Sequence, residues 1–315
     1  MEKIPILFLA AGRRVQMTQM FLERGFEVFS YESDLTSPIC QVAFVIEATK
    51  PWSDSHFMDE ILPVYKANNI QLVIPFQDEA VIAACKLDRY FKNRGLEPKI
   101  VCSPIAVAEI CYDKLFFEQW MGDKFPTIYP SANILRPMII KPRYGAGSRT
   151  IFHVENEFDL EKYKLLISSG KWIKQRKIKG IEYSVDCYFD PDGNYIDSVP
   201  RRRILIGSSG EVVKSITERN EWLQAISKEV GERLGLIGPV NMQYILEYNT
   251  GEIYLFEINA RFGGGYTLSI HAGMDVINLI ARDYLGRDFE YEPDTWRNNL
   301  LLQRAYKDYY FQRPG

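Results

Sequence analysis

Short apolar runs alternate with amphipathic stretches through the first hundred residues of the chain. The apolar runs have the length of buried strands, and the stretches between them repeat apolar residues at helical spacing. Predicted strands cover residues 6–10, 27–31, 43–47, 72–75 and 100–102. Predicted helices cover residues 14–23, 55–68 and 79–94. Alternation at this rhythm predicts parallel strands joined by right-handed crossovers, and therefore a Rossmann-like α/β lobe.

The turn after the first predicted strand has part of a dinucleotide-binding pattern. Gly12 directly follows that strand, and Asp34 follows the second one. The full G-x-G-x-x-G pattern is absent, so no dinucleotide site is expected. We expect this lobe to carry part of a substrate site at the carboxyl ends of its strands, around residues 12–14 and 77–79.

The pattern changes near residue 104. Residues 105–120 predict one or two short helices, and Pro126, Pro130 and Pro137 then interrupt the chain. The remainder is rich in short strands with glycine-containing turns, which is typical of an α+β fold. Predicted strands cover residues 138–141, 150–154, 172–178, 183–190, 195–199, 240–246, 253–259 and 300–311. Predicted helices cover residues 159–167, 222–234 and 275–285.

Polar positions recur on one face of the predicted hairpin formed by residues 240–259. Asn241 and Gln243 lie two residues apart in its first strand, and Glu257 and Asn259 do so in its second. Residues two apart share a face of a strand, so these four side chains are expected to form one patch.

The turn of this hairpin sets the expected register. Asn249-Thr250-Gly251 reads as a three-residue loop, with glycine at the last, left-handed position. Such a loop pairs Tyr248 with Glu252. The same register then places Gln243 opposite Glu257, and Asn241 opposite Asn259.

The chemistry of the patch indicates a divalent cation. Burying Glu257 unpaired would cost several kcal/mol, so a cation or water must answer its charge. One carboxylate with amide oxygens suits Mg²⁺ that keeps waters and shares ligands with phosphates. Arg261, two residues further on, would point the same way. The alternative is a polar strand face turned to solvent.

Two further segments could bind a nucleotide. Lys141 ends an apolar strand and precedes Gly145 and Gly147, whose backbone N–H groups can approach an anion closely, although such a turn is common between strands. Gln175 and Glu182 bound a strand-to-turn passage that could hold an adenine edge and a ribose diol. The alternative for that passage is a solvated basic connector.

Composition excludes several other classes of protein. A hydrophobic content of 46% with 25% charged residues is ordinary for a soluble protein, and a net charge of −3 gives no broad basic field for nucleic acid. No apolar run approaches the roughly 20 residues that span a bilayer. The apolar residues 4–11 are too few for a secretion signal.

Cysteine and histidine usage points the same way. Five cysteines without C-x-x-C spacing and three histidines predict free thiols in a reducing cytoplasm, with no soft-metal cluster. We therefore expect a cytoplasmic protein without nucleic-acid or membrane partners.

Together and in this order, these segments resemble the ATP-grasp superfamily. The likeness is to the ATP-grasp halves of the carbamoyl phosphate synthetase large chain and to short stand-alone proteins similar to them. The most specific motif is Asn241-x-Gln243 followed by Glu257-x-Asn259-x-Arg261. The resemblance implies a Rossmann-like pre-ATP-grasp domain over residues 1–103 and linker helices over 104–136. Two ATP-grasp subdomains then follow, over residues 137–200 and 201–315.

The resemblance implies phosphate-binding roles for a first set of residues. Lys141 matches the lysine on the nucleotide phosphates, and Lys114 matches the basic residue before the first subdomain. The loop with Gly145, Gly147 and Ser148 matches the flexible loop that closes over the phosphates, although it is poorer in glycine than many.

A second set matches the rest of the nucleotide site. Gln175 stands where the family places a residue on the adenine amino group, Ile178 supplies a backbone contact there, and Glu182 matches the ribose carboxylate. Arg203 and Lys214 could meet phosphate or an acidic substrate, with a solvated basic strand as the alternative.

The third set carries the chemistry. Gln243, Glu257 and Asn259 match the magnesium ligands, and Arg261 matches the arginine on the transferred phosphate. Many relatives have a carboxylate where Gln243 stands, which implies a weaker second metal site.

The function implied is an ADP-forming ligase that uses ATP and Mg²⁺, with Mn²⁺ left open. It would join a small carboxylic acid to an amine or thiol through an acylphosphate. A carbamoyl-phosphate-type phosphotransferase and a nucleotide-binding protein without turnover are the alternatives, and assembly as a homodimer is left open.

Overall fold

A four-stranded parallel sheet forms the N-terminal lobe. The computed structural model describes residues 3–130, 137–145, 151–208 and 210–311. The lobe's sheet has the order β3-β2-β1-β4. Its strands are β1 (Ile4–Leu9), β2 (Phe26–Glu32), β3 (Phe44–Glu47) and β4 (Leu72–Pro75). Its helices are α1 (Val15–Glu23), α2 (Phe57–Ala67) and α3 (Asp78–Lys92). The predicted α/β lobe is therefore confirmed.

The central strands of this lobe are apolar on both faces because helices cover both faces. Every side chain of β4 is buried, and so are those of residues 6–9 in β1, as expected for a parallel sheet. The strand predicted over residues 100–102 is wrong. Ile100 forms a single parallel bridge to Val73, after which the chain turns into the linker helices.

Two linker helices, α4 (Ile105–Tyr112) and α5 (Lys114–Lys124), meet at Asp113. Asp113 has an extended conformation, and its carboxylate accepts hydrogen bonds from the N–H groups of Leu115 and Phe116. It therefore ends α4 and caps α5.

A small antiparallel sheet follows, with the order β6-β5-β7. It contains β5 (Met138–Pro142), β6 (Phe152–Val154) and β7 (Trp172–Arg176). The segment predicted as one helix over residues 159–167 forms two, α6 (Glu157–Lys162) and α7 (Lys164–Ser168), separated at Tyr163.

A six-stranded antiparallel sheet has the order β12-β11-β8-β9-β10-β13. Strand β9 crosses residue 200, where the sequence placed a subdomain boundary, so the sheet contains residues from both predicted subdomains. One face packs against helix α8 (Glu221–Leu234). The other faces the N-terminal lobe and helices α9 (Tyr266–Ala272) and α10 (Val276–Leu285). The strands are β8 (Gly180–Phe189), β9 (Tyr195–Ile206), β10 (Val212–Thr217), β11 (Gly238–Glu247), β12 (Ile253–Asn259) and β13 (Leu301–Gln303).

The strand predicted over residues 300–311 is correct only for its first part. Strand β13 lies at the edge of the sheet, and its ladder with β10 ends at Gln303. A last backbone hydrogen bond joins Arg304 N to Val213 O. Beyond it Tyr306 and Tyr310 are exposed, and no helix or strand is formed over residues 304–311.

Aromatic rings fix the lobe against the large sheet. The rings of Phe76 and Phe262 stack with centroids 5.5 Å apart, and the rings of Phe262 and Tyr266 meet edge-on at 4.9 Å. This contact sets where the segment after β12 lies. Among the described residues, every helix is too short or too polar to cross a membrane.

Candidate active site

The hairpin of β11 and β12 has the register that the sequence predicts at its polar end. Gln243 pairs with Glu257, and Asn241 pairs with Asn259. The four side chains therefore lie on one face of the sheet, and that face is turned toward the N-terminal lobe.

The turn of the hairpin differs from the prediction. Glu247 N donates to Glu252 O at 2.8 Å, so the loop has four residues, 248–251, and the expected Tyr248–Glu252 pair is wrong. Gly251 has a φ of +71°, the left-handed conformation expected at the last loop position. A β-bulge compensates for the longer loop. Phe256 is the extra residue between the Tyr244–Leu255 and Gln243–Glu257 pairs.

Four predicted site residues form one hydrogen-bonded row across four strands. Gln243 Nε2 donates to Glu257 Oε2 at 3.0 Å, and Arg203 Nη1 donates to Gln243 Oε1 at 3.0 Å. Arg203 Nη1 also donates to Glu182 Oε2 at 2.8 Å. Glu257 is half-buried, and its Oε1 accepts no hydrogen bond from the described residues, so this oxygen is available to a cation.

Arg261 continues the site toward the N-terminal lobe. Its Nη2 donates to Asn259 Oδ1 at 2.8 Å and to Asp78 Oδ2 at 2.9 Å. Asp78 is the first residue of α3, so the lobe and the hairpin hold this guanidinium between them. Asp78 lies within residues 77–79, where a substrate site was predicted, but its contact with Arg261 was not predicted.

Lys141, on β5, is a buried cation facing this row. It is 8% exposed, and its ammonium lies 5.8 Å from the centroid of the Phe256 ring. Burial and the charge of Lys114 lower the pKa of Lys141 to about 8, against the opposing effect of Glu257 and Glu118. Within the described ranges no acceptor hydrogen-bonds to it. A buried cation without an acceptor among the described residues is suited to binding an anion, and the carboxylate opposite it is suited to binding a metal ion.

Lys114 contacts the loop that follows β5. Its Nζ donates to Gly145 O at 2.7 Å. Asp113, next to it, accepts from Arg143 Nε at 2.7 Å and from the Tyr144 hydroxyl at 2.9 Å. The start of the loop is thereby tied to the linker helices. The other loop residues predicted to contact phosphate, Gly147 and Ser148, lie outside the described residues.

The residues predicted to hold the adenine lie between the small and large sheets. Gln175 is buried on β7, and its Nε2 donates to the Tyr129 hydroxyl at 3.2 Å. Ile178 is half-buried in the connector to β8, and Glu182 begins the row described above. Two basic residues of this passage are ion-paired, since Arg176 Nη2 lies 2.8 Å from Glu247 Oε1 and Lys177 Nζ lies 2.6 Å from Glu155 Oε1.

Lys214 does not join the row. Strand β10 pairs Ser215 with Arg203, so side-chain alternation directs Lys214 to the opposite face of the sheet. The structure therefore brings together Glu182, Arg203, Gln243 and Glu257, joins Asn259 to Arg261, and sets Lys141 across from them.

A buried carboxylate beneath the row is one residue that the sequence reading missed. Asp186 is fully buried and accepts from Arg201 Nε at 2.7 Å, Asn241 Nδ2 at 2.7 Å and Ser269 Oγ at 2.6 Å. Asn241 is therefore a structural partner of Asp186, whereas Asn259 is a predicted metal ligand. The available signal was its position two residues after Ser184, on the same strand face as Glu182.

The first turn of the N-terminal lobe is filled by its own acidic residue. Glu32 Oε1 accepts from Ala11 N at 2.8 Å, Gly12 N at 3.1 Å and Ser30 Oγ at 2.6 Å. In a dinucleotide-binding fold such N–H groups would hold phosphate. Their use by Glu32 gives a structural reason for expecting no dinucleotide here. A cavity of about 1090 Å³ opens at this edge of the lobe.

Comparison with protein families gives two matches. Residues 169–305 match the family model described as ATP-grasp in the biosynthetic pathway with Ter operon. Residues 6–99 match the model of the PylC-like N-terminal domain. The first match contains Gln175, Glu182 and the whole hydrogen-bonded row.

A curated relative is the carbamoyl phosphate synthase large chain of Xanthomonas campestris pv. campestris. It is 24% identical over 233 residues, which cover 64% of this chain and 21% of the relative. The chain thus matches about a fifth of that protein's length.

Two solved structures are similar over most of the chain. The biotin carboxylase domain of Hydrogenobacter thermophilus 2-oxoglutarate carboxylase, solved with magnesium ADP and bicarbonate, has a TM-score of 0.73 at 16% identity and covers 94% of this chain and 73% of that one. The L-amino acid ligase of Bacillus licheniformis has a TM-score of 0.67 at 15% identity, covering 90% and 75%. At identities this low, the two TM-scores show that the fold is shared and nothing more.

Proposed function

Because this chain belongs to the ATP-grasp superfamily, we propose that it is an ATP-dependent ligase that joins a small carboxylic acid to an amine or thiol. The acid would be activated as an acylphosphate and ADP released. One observation carries the proposal. Lys141 is a buried cation without a hydrogen-bond acceptor among the described residues, and it faces the open carboxylate of Glu257 on the other sheet. That pair is suited to a metal-bound phosphate chain.

The donor atoms of the row fit Mg²⁺. Glu257 offers a carboxylate oxygen that accepts no hydrogen bond from the described residues, and the amides of Gln243 and Asn259 lie beside it. The described ranges hold no group of three or more His, Cys, Asp or Glu side chains that could bind a metal. A cation with so few protein carboxylates must take further ligands from phosphates and water, as Mg²⁺ does. Carboxylate and amide oxygens also suit Mn²⁺.

The chain's own residues would divide the remaining work. Bound Mg²⁺ would supply neutralisation of the phosphate charge. Lys141 would hold the nucleotide phosphates, and Arg261 would cover the phosphate being transferred, fixed in direction by Asp78 and Asn259. Charges placed in advance in a buried site stabilise a transition state without reorganisation.

The nucleotide would lie between the two sheets. Gln175 uses its amide N–H group on Tyr129, which leaves its amide oxygen for an adenine amino group. Glu182 would accept from the ribose and Ile178 would contact the base, while Arg203 links this end to Gln243. Lys114 and the loop from Gly145 would close over the phosphates.

Replacing the central carboxylate tests this proposal. Glu257→Ala should abolish ADP release and leave the circular dichroism spectrum and thermal midpoint of the fold intact. Glu252→Ala, at the exposed turn of the same hairpin, is the matched control and should keep wild-type turnover. Near-normal phosphate release by Glu257→Ala would refute the site.

The same assay separates the alternatives. ADP release that needs both a carboxylic acid and an amine or thiol supports a ligase. Release with the acid alone indicates phosphotransfer, and Mg·ADP binding without release indicates a nucleotide-binding protein.

A further inference from the structure

Positive charge gathers where the N-terminal lobe packs on the large sheet. Arg201 is paired with Asp186, with its Nε and Nη2 at 2.7 and 2.9 Å from the carboxylate oxygens. Arg261 is paired with Asp78 at 2.9 Å. Both carboxylates are therefore taken by guanidinium groups. Two more arginines, Arg14 and Arg304, lie in the same cluster.

Arg14 is the arginine of this cluster for which the described residues supply no hydrogen-bond acceptor. It lies at the start of α1 and is half-buried. Burial, followed by the charges of Arg261 and Arg304, lowers its pKa to about 9, although Asp78 and Asp186 act in the opposite direction. In the part of the chain that the structure describes, its guanidinium donates no hydrogen bond to any group.

Arg304 stands next to it on the segment after β13. Its guanidinium donates to the backbone oxygen of Gly264. Burial and Arg201 lower the pKa of Arg304, and Glu211 opposes them. The cluster thus contains four arginines, Arg14, Arg201, Arg261 and Arg304. Three carboxylates face them, those of Asp78, Asp186 and Glu211, so that one positive charge of this set has no carboxylate to balance it.

The backbone around these arginines is shaped to admit them. A Cβ atom on Gly264 would lie 3.3 Å from Arg14 Nη1, and one on Gly265 would lie 2.5 Å from Arg201 Nη1. A Cβ on Gly263 would lie 2.8 Å from Asn241. Three successive residues without side chains thus let the guanidinium groups reach the loop that follows Arg261.

We propose that Arg14, with Arg304 beside it, binds the carboxylate of the acid substrate next to Arg261. The inference rests on the proposed ligase function. One uncompensated charge fits a monoanion, and the planar fork of a guanidinium matches the two oxygens of a carboxylate. Arg261, in contact with the same cluster, would then hold the phosphate that this carboxylate attacks. A phosphate ion shares the anionic chemistry, so the test distinguishes it from carboxylates.

The first test measures anion binding without turnover. The thermal midpoint of the full chain is titrated separately with acetate, glutarate and inorganic phosphate. Carboxylates should stabilise the wild type, and Arg14→Gln and Arg304→Gln should each raise the half-saturating concentration about tenfold or more. Arg14→Lys keeps the charge but loses the planar fork of the guanidinium, so its half-saturating concentration should lie between those of the wild type and Arg14→Gln. Arg89→Gln, at an exposed position near the end of α3, is the matched control and should respond as the wild type does.

Several results would overturn the site. These are no stabilisation of the wild type by any carboxylate, stabilisation by phosphate alone, and equal responses in wild type and Arg14→Gln. Since Arg14→Gln removes a charge from a repulsive cluster, its midpoint without ligand should not fall. If that midpoint does fall, Arg14→Lys is used in its place, and a half-saturating concentration of carboxylate equal to that of the wild type would overturn the site.

A kinetic test separates this inference from the proposed function. With an active acid, Arg14→Gln should raise KM for the acid and leave KM for ATP unchanged. Carboxylate-dependent ADP release with an unchanged KM for the acid refutes the role of Arg14 and leaves the ligase intact. In the opposite case, the wild type binds carboxylates but releases no ADP, and Arg14→Gln abolishes that binding. This result refutes the proposed ligase function and supports the carboxylate site.

Discussion

At the scale of the residue, Lys141 illustrates how a side chain proposed to bind phosphate can lower the stability of the fold. The side chain is buried, and within the described residues no acceptor binds it. Its pKa of about 8, set by burial and by Lys114, is below its ordinary value of 10.5. Protonated Lys141 is therefore less favourable in the folded chain than in water at every pH at which it carries its charge.

Lys141→Met should consequently raise the free energy of unfolding while it removes nucleotide binding. The expected gain at pH 7 is about 3 kcal/mol, since one pKa unit corresponds to about 1.4 kcal/mol and the pKa falls from 10.5 to about 8. The sign follows from proton uptake: below pH 8 the whole penalty is present, and between pH 8 and 10.5 the unfolded chain binds more protons. Urea unfolding should therefore show the difference between variant and wild type shrinking across that range.

Lys171→Met, at an exposed turn, is the control and should change the free energy of unfolding by less than about 0.5 kcal/mol. A Lys141→Met variant that is less stable than the wild type at pH 7 would contradict the account of Lys141 as an unpaired buried charge.

At the scale of the element, local pattern predicted most helices and strands, but long-range pairing decided the remainder. Residues 100–102 have the composition of a strand, yet only Ile100 finds a partner. Strand β13 stops when its neighbour β10 stops providing hydrogen bonds. The register predicted from a three-residue turn placed Glu257 opposite Gln243 correctly only because the bulge at Phe256 offsets the four-residue turn, and nothing in the sequence marked that turn or that bulge.

Asp113 joins three elements, so its replacement should affect both stability and nucleotide affinity. It caps α5 and holds Arg143 and Tyr144 at the end of β5. Asp113→Ala should lower the free energy of unfolding by about 2–3 kcal/mol, from the lost cap and a largely buried ion pair. It should also raise KM for ATP, because the loop that begins at Tyr144 loses its anchor.

The matched control is Asp88→Ala, which removes an exposed ion pair to Lys92. Such a pair stabilises a helix by only a few tenths of a kcal/mol. Equal losses of stability in the two variants would show that Asp113 acts as an ordinary surface charge.

At the scale of the whole molecule, the site is completed by docking the N-terminal lobe on the large sheet. Sequence reasoning found the residues of the hairpin because they share a strand face. Arg14, Asp78 and Arg304 come from segments far apart in the chain and follow no common periodicity. The sequence placed residues 12–14 and 77–79 at one edge of the lobe, but only the packing of the lobe on the large sheet brings Arg14 and Asp78 to Arg304, so that part of the cluster could not be read from the sequence.

Phe262 is the side chain on which this docking depends most. It is fully buried between the rings of Phe76 and Tyr266, one residue after Arg261. Phe262→Ala should cost about 3–5 kcal/mol and loosen Arg261 from Asp78. Calorimetry should show a lower midpoint, and turnover should fall with it. Phe262→Leu should cost markedly less, and equal losses in both variants would argue against a packing effect.

The bulge at Phe256 has a consequence for how relatives of this chain are aligned. Deleting a residue inside a strand normally turns every later side chain to the other face. Here Phe256 is the residue that the neighbouring strand does not pair, so its loss would leave Glu257 opposite Gln243 and Asn259 opposite Asn241. A one-residue gap at this position is thus compatible with an intact form of the face proposed to bind the metal, and an alignment that forbids the gap would misplace the carboxylate.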